Sequence, residues 1–346
     1  MEGNLKKEYI IPIFVPNYGC PNDCVFCNQK KISGQKTNVT ADDVKSTIDY
    51  YLENFKDRNK YVEVAFFGGS FTGIDEDIQN ELLEAVMPYI KEKKVNSIRL
   101  STRPDYIDKK TLKRLKKYHV KTIELGVQSS NDYVLKKSKR NHTFEDVKRA
   151  SKLIRFYGFR LGVQMMVGMP ESSEKDDLQT AVDLIKLKPK MVRIYPVLVI
   201  KGTELAREYA SEEYEPLTIE QAVLRCKEIM YLFRKHKIDI IRIGLQNSEE
   251  INYPGSDGSE VLAGPFHPAF RQLVEGEMWY DSISEEIKKV NSQVKEIKIH
   301  VNPNDANTAI GHKKINITRI KDLYDIDLWI IPDENIEQGK FELEQK

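Results

Sequence analysis

Over its first two-thirds the sequence alternates short apolar runs with longer amphipathic ones, and this leaves little choice of fold. Runs of strand length fall at Ile10–Pro16, Tyr61–Phe67, Ser97–Thr102, Thr122–Val127, Arg160–Val167, Met191–Pro196 and Asp239–Ile243. Stretches with helical spacing lie between them, at Thr40–Phe55, Asp75–Lys93, Asp108–Tyr118, Thr143–Tyr157, Ser173–Lys186 and Thr218–His236. Strands separated by helices of this length read as βα units sharing a parallel sheet. Thr40 with Asp43, and Thr143 with Asp146, resemble capping boxes with Asp in place of Glu. Six or so such units predict an α/β fold, a partial (β/α)6-type TIM barrel, whose chemistry gathers at the carboxyl ends of the strands.

The loop after the first strand carries Cys20, Cys24 and Cys27 in a C-x3-C-x2-C spacing, with Phe26 just before the third cysteine. Three thiolates on one short loop can hold three irons of a cubane cluster and leave the fourth iron open to a small molecule. Such clusters are normally held by four cysteines. A structural zinc site takes four N or S ligands, often as two spaced pairs, and no second pair lies near this loop. A disulfide framework suits a small secreted chain with an even cysteine count. Here there are 4 cysteines in 346 residues, and the last, Cys226, sits far away in a helical stretch, where a buried thiol is expected. The open cluster accounts best for the spacing; zinc and structural thiols are the alternatives.

Lys and Arg total 54 against 53 Asp and Glu, a net charge of +1, which excludes an overall polybasic protein but not a local basic patch. No apolar run reaches the roughly 18–20 residues of a membrane span. The polar stretch Met1–Tyr9 lacks a signal-peptide core. Closely spaced, reduced thiols without an export signal fit the cytoplasm.

Further polar and glycine-rich segments fall at the strand ends. They are Gly68-Gly69-Ser70-Phe71-Thr72, Ser101-Thr102-Arg103-Pro104-Asp105, Glu124-Leu125-Gly126-Val127-Gln128-Ser129 and Met166-Val167-Gly168-Met169-Pro170-Glu171. Tyr195-Pro196 with Gly202-Thr203, and Gly264-Pro265-Phe266-His267-Pro268-Ala269-Phe270, continue the series. With the cysteine loop, they make the chain resemble the radical S-adenosylmethionine (SAM) superfamily over roughly Ile10 to Gly244. Within it the resemblance is strongest to the radical domain of the elongator catalytic subunit and its bacterial relatives, near the oxygen-independent coproporphyrinogen oxidases.

The resemblance implies that Cys20, Cys24 and Cys27 hold a 4Fe–4S cluster whose open iron is chelated by SAM. It implies that Gly68, Gly69 and Ser70 meet the SAM amino group. It places Ser101, Gln128, Arg140 and Gln164 at the SAM ribose and carboxylate, with Ser101 and Gln164 standing where those relatives have acidic residues. Phe26 would pack near cluster and adenine. An electron donor such as ferredoxin or flavodoxin is implied as a partner. Elongator-type enzymes act on a wobble uridine of tRNA with an acetyltransferase domain after the radical domain. With Lys346 as the last residue of the sequence, no such domain is expected beyond Gly244 and no acetyl-CoA loop pattern is read, so the expectation is that an RNA substrate would need another co-reactant or another delivery of it.

Toward the C-terminus, Ile297–Val301 and Ile326–Ile331 read as strands flanking two short helices joined at Gly311-His312-Lys313-Lys314. This resembles the core of a KH domain, whose G-x-x-G loop clamps a nucleic-acid backbone. Lys314 replaces the second glycine; Gly311, Lys313 and Lys314 are the candidate RNA contacts. The expected organisation is a barrel over 1–245, an extension packing on it over 246–290, and a small α+β module over 291–336. His267 is a candidate proton donor or orienter. The expected function is a radical SAM enzyme modifying RNA, with tRNA foremost. The alternatives are a small-molecule or tetrapyrrole-like substrate, or a non-enzymatic iron–sulfur or zinc RNA-binding protein.

Overall fold

The alternation read from the sequence is what the chain builds. The computed structural model describes residues 7–15, 24–28, 39–57, 60–291 and 294–345. The barrel strands are β1 (Lys7–Val15), β2 (Lys60–Gly68), β3 (Ser97–Thr102), β4 (Val120–Gln128), β5 (Arg160–Val167) and β6 (Met191–Pro196). A short pair, β7 (Val199–Ile200) and β9 (Val261–Ala263), flanks the last barrel strand, β8 (Asp239–Ile243). The helices over this region are α1 (Ala41–Asn54), α2 (Glu76–Lys91), α3 (Lys109–Lys117), α4 (Asp132–Lys137), α5 (Phe144–Phe156), α6 (Glu174–Lys186), α7 (Glu204–Ala210), α8 (Ile219–Lys235) and α9 (Phe270–Ile287).

Seven strands form one parallel sheet in the order β1-β2-β3-β4-β5-β6-β8, with β1 and β8 as its edges. The sheet is therefore open, a partial barrel. Thr40 and Thr143 cap α1 and α5 through reciprocal bonds with Asp43 and Asp146; Ser173–Asp176 and Thr218–Gln221 do the same for α6 and α8. Buried aliphatic side chains such as Ile11, Val64, Leu100, Ile123, Met165 and Ile194 fill the space between sheet and helices. Cys226 is fully buried in that core, and burial pushes its thiol pKa up, as expected of an inert structural thiol.

The remainder is a separate small core. Strands β10 (Glu296–Val301), β11 (Asp327–Pro332) and β12 (Phe341–Gln345) pair in the order β11-β10-β12, the first pair parallel and the second antiparallel. Helices α10 (Ala306–Ile310) and α11 (Ile315–Tyr324) cover them and are joined through Gly311–Lys314. Helix α9 belongs to both cores: Val274 and Met278 pack with the barrel, Ile283 and Ile287 with the small sheet.

Candidate active site

The site is built at the carboxyl end of β4. Pairing of β4 with β5 shifts register between Gly126 and Gln128, and Gln128 adopts φ +75°. A bulge of this kind re-aims a side chain, and left-handed backbone at a non-glycine residue costs on the order of 1–3 kcal/mol, commonly at functional sites. The Gln128 amide lies over Gly126, where a Cβ would come within 3.3 Å of its Nε2. Its Oε1 is buried without a hydrogen-bond partner among the described residues.

Arg140 reaches the same spot from the turn after α4. It donates from Nη2 to the Gly126 carbonyl and from Nη1 to Cys24 Sγ at 3.6 Å. Its Nε is buried and has no partner among the described residues. Arg140 is thus no solvated arginine on a helix face. It ties the β4 bulge to the cysteine loop.

That loop is held from two sides. Val25 N–H donates to the Ser138 carbonyl at 3.3 Å, and Leu205 N–H at the start of α7 donates to the Val25 carbonyl at 2.8 Å. Asn28 Nδ2 donates to the Lys201 carbonyl at 3.3 Å. Phe26 packs on a small apolar cluster with Val134, Met169 and Leu205. Cys24 is buried, Cys27 half-buried, and both are free thiols; Cys20 lies outside the described residues.

These residues fit the groups implied by the sequence. A guanidinium donating to a cysteine sulfur is one of the levers a protein has over an iron–sulfur cluster. Beside that sulfur stand an unmet buried acceptor, Gln128 Oε1, and an unmet buried donor, Arg140 Nε. A ligand carrying both an ammonium and a carboxylate, as SAM does, could satisfy both.

The glycine turn after β2 also has a cause within the fold. Gly68 sits at φ +110°, and a Cβ there would lie 2.3 Å from the Val15 carbonyl oxygen, so the approach of β1 to β2 demands glycine. The Ser70 hydroxyl is buried and engaged within the fold, accepting from Arg103 N–H at 3.1 Å and meeting Thr102 Oγ1 at 2.8 Å.

Inside the barrel the strands carry a buried charge network that sequence reasoning missed. Arg99 pairs with Glu63 at 2.6 Å and with Glu124 at 3.0 Å, and Arg193 pairs with Glu124 at 2.6 Å. Burial by itself would raise the Glu124 pKa. The Arg193 and Arg99 guanidinia and the Gln164 amide outweigh it and hold the carboxyl below the ordinary range. Two opposed pairs leave no net charge in the interior, as buried ions require.

This network orients Gln164. Its Nε2 donates to Glu124 Oε2 at 3.1 Å and to Ser101 Oγ at 3.2 Å. An ionised carboxylate only accepts, so the amide nitrogen must face Glu124. The Gln164 Oε1 is left as the atom available to a ligand, and the Ser101 proton remains free to donate. A pair read as standing in for acidic residues thus presents one acceptor and one donor.

His142 lies behind Arg140, buried, with Nε2 donating to the Val127 carbonyl at 3.3 Å. Burial, with Arg140 and Arg103 nearby, pushes its pKa down to about 3, so the ring is neutral. The other sequence candidates lie elsewhere. His267 packs its ring 5.1 Å from that of His312, beside Gly311, Lys313 and Lys314. The ring's hydrogen-bond and aromatic contacts among the described residues are with Ala269, Tyr253 and His312. The signal for the missed residues was present: Glu63, Arg99, Glu124 and Arg193 are charges in the middle of strands that otherwise read as core.

A parallel partial barrel with a cysteine loop at its rim and polar groups converging beside it defines a class of enzymes that handle a cluster-bound cofactor. The family models agree: the radical SAM superfamily model matches residues 14–185 and the Radical_SAM C-terminal domain model residues 189–280. The chain belongs to the radical SAM superfamily and is an enzyme of it; a 4Fe–4S cluster and SAM are that family's cofactors. It is 30% identical over 192 residues to tRNA uridine(34) acetyltransferase of Methanocaldococcus jannaschii, over 50% of this chain and 36% of that protein. It is 26% identical over 275 residues to the oxygen-independent coproporphyrinogen-III oxidase-like protein HemZ of Bacillus subtilis, over 73% of this chain and 53% of that one. Among solved structures, the archaeal Elp3 of Methanocaldococcus infernus superposes with a TM-score of 0.61 at 22% identity, covering 82% of this chain and 64% of that one. The match to the acetyltransferase thus spans about a third of that relative's length. No helix among the described residues is long and apolar enough to cross a membrane.

Proposed function

We propose that this protein cleaves SAM reductively at a 4Fe–4S cluster held by Cys20, Cys24 and Cys27, and applies the radical chemistry to RNA, tRNA foremost. A 4Fe–4S cluster held there would supply the single electron that reductive cleavage of the SAM carbon–sulfur bond requires, and the residues of the chain would hold SAM against it. Arg140 and Gln128 would take the methionyl carboxylate and ammonium through Nε and Oε1. Gln164 and Ser101 would meet the ribose hydroxyls as acceptor and donor. A ferredoxin- or flavodoxin-like protein would deliver the electron, in the cytoplasm.

The observation that carries the RNA reading is the Gly311–Lys314 loop. Gly311, Lys313 and Lys314 all take positive φ, at 78°, 52° and 63°. The expected second glycine, replaced by Lys314, is therefore a position where the backbone does adopt a glycine-like conformation. Both lysines are exposed, and neither has a carboxylate within ion-pair distance among the described residues. Relatives named tRNA uridine(34) acetyltransferase and Elongator complex protein 3 point the same way.

The test is anoxic reconstitution with iron, sulfide, SAM, dithionite and bulk tRNA, followed by nucleoside mass spectrometry. A new tRNA nucleoside that depends on SAM supports the proposal. SAM turnover that leaves every nucleoside of bulk RNA unchanged would remove RNA as the substrate.

A further inference from the structure

Resting on that RNA reading, we propose that a groove at the barrel rim, between the end of β8 and the start of α9, is a second contact site for an RNA phosphodiester, with Arg242 as its charged group. The groove is a cavity of about 470 Å³ whose lining includes Arg242, Gln246, Asn247, His267 and Arg271. That volume lies within the range of small-molecule sites and suffices for a nucleotide unit.

The charges single out Arg242. Its guanidinium touches a neutral group, Gln246 Oε1 at 3.3 Å, and has no carboxylate within ion-pair distance among the described residues. Arg271, also in the lining, is ion-paired with Glu275 at 3.2 Å, a carboxylate it shares with Arg234, and is held by the Ile240 carbonyl at 2.9 Å. Residues 240–345 contain 11 lysines and arginines. Seven are ion-paired: Arg271, Lys289, Lys295, Lys298, Arg319, Lys321 and Lys340. Of the four that are not, Arg242 lines the groove and Lys313 and Lys314 stand on the loop beside it; Lys288 lies at the far end of α9.

His267 connects groove and loop. Its Nδ1 accepts the Ala269 N–H at 3.1 Å, which leaves Nε2 carrying the ring proton. Its ring meets His312 edge-on, 5.1 Å between centroids. Unpaired cations in the groove and on the loop, with the neutral donor His267 linking the two, suit a backbone carrying a charge at each nucleotide. An arginine can also grip a phosphate bidentately. The groove follows directly on β8, whose carboxyl end belongs to the reactive rim, so a strand bound here would run from the lysine loop toward the barrel mouth.

The test is a filter-binding titration of tRNA over a salt series with four proteins: wild type, Arg242→Gln, Gln246→Glu, and Lys313→Ala with Lys314→Ala. Arg242→Gln should lower the slope of log affinity against log salt by roughly 0.7–0.9, the value of one lost phosphate contact. Gln246→Glu sets a carboxylate against the Arg242 guanidinium without removing it. The position is exposed, so the fold is preserved, and the same loss of slope is expected. Affinity for SAM should not change in either variant. If the lysine variant lowers the slope and both groove variants leave it at the wild-type value, the groove proposal is wrong while the RNA reading stands. If wild type does not bind tRNA at all, both fall together.

Discussion

Glu124 is the residue on which the proposed SAM contacts of Gln164 and Ser101 depend, although nothing in the arrangement requires it to touch a ligand. It fixes which end of the Gln164 amide faces the open side of the barrel. Gln164→Leu should weaken SAM binding by about 0.5–1.5 kcal/mol, the worth of a neutral hydrogen bond. Glu124→Gln, whose own amide can donate and so releases Gln164 to flip, should cost a comparable amount. The two effects should not add: in the Gln164→Leu background, Glu124→Gln should change SAM affinity by less than about 0.5 kcal/mol. Calorimetry that finds full additivity would reduce Glu124 to a structural ion-pair member. Arg140→Ala should retain iron but weaken SAM binding by about 1.5–3 kcal/mol, the range for hydrogen bonds to charged groups; unchanged affinity would leave Arg140 as a brace for Cys24 alone. His142 offers a pH test. Its folded pKa, about 3, lies below the unfolded value, so its contribution is present above about pH 6.5 and declines as pH falls from there toward 3. Between pH 7.5 and 5.0 the wild type should lose about 2 kcal/mol more stability than His142→Leu, one pH unit of linkage being about 1.4 kcal/mol. Equal slopes in denaturant titrations would mean that the ring is protonated in the fold.

At the scale of elements, strand spacing fixes the rim and the rim fixes the site. Gly68→Ala places a methyl against the Val15 carbonyl at a backbone angle that L-residues avoid. It should destabilise the protein by about 1–3 kcal/mol, measured by urea unfolding; a neutral effect would mean that β1 and β2 can part at their ends without cost. The βα units were legible in the sequence because each strand is an apolar run bounded by turn residues and each helix opens on a side-chain cap. Helix α9 was not, because its apolar residues serve two cores in succession and so show no single face, and because it starts directly after the Pro265–Pro268 turn. Strand β12, Phe-Glu-Leu-Glu-Gln, is an edge strand with most of its side chains exposed and looks like a charged tail. The site was legible in part. Cys24 and Arg140 are brought into contact, and Gly68 and Ser70 serve the fold as well, at the approach of β1 and at the Thr102–Arg103 turn. Glu63, Arg99, Glu124 and Arg193 show in the sequence as charges inside core strands, but their pairing depends on register between strands far apart in sequence, which no local pattern reveals.

The whole molecule is a reactive barrel joined through one continuous helix to a small α+β unit that carries exposed, unpaired lysines. The turn after β7 meets the edge of the cysteine loop, where the Asn28 amide donates to the Lys201 carbonyl at 3.3 Å. β7 pairs with β9, and the His267 segment follows β9 directly. The proposed RNA face and the proposed cluster loop therefore share one structural support, and the account stands on what that loop binds. The most direct measurement is iron and sulfide content, together with 5′-deoxyadenosine formation from SAM and dithionite, for wild type, Cys24→Ala and Cys226→Ala reconstituted under anoxia. Wild type and Cys226→Ala should carry a 4Fe–4S cluster and form 5′-deoxyadenosine, and Cys24→Ala should do neither. A Cys24→Ala protein that keeps its cluster and its SAM cleavage would contradict the account.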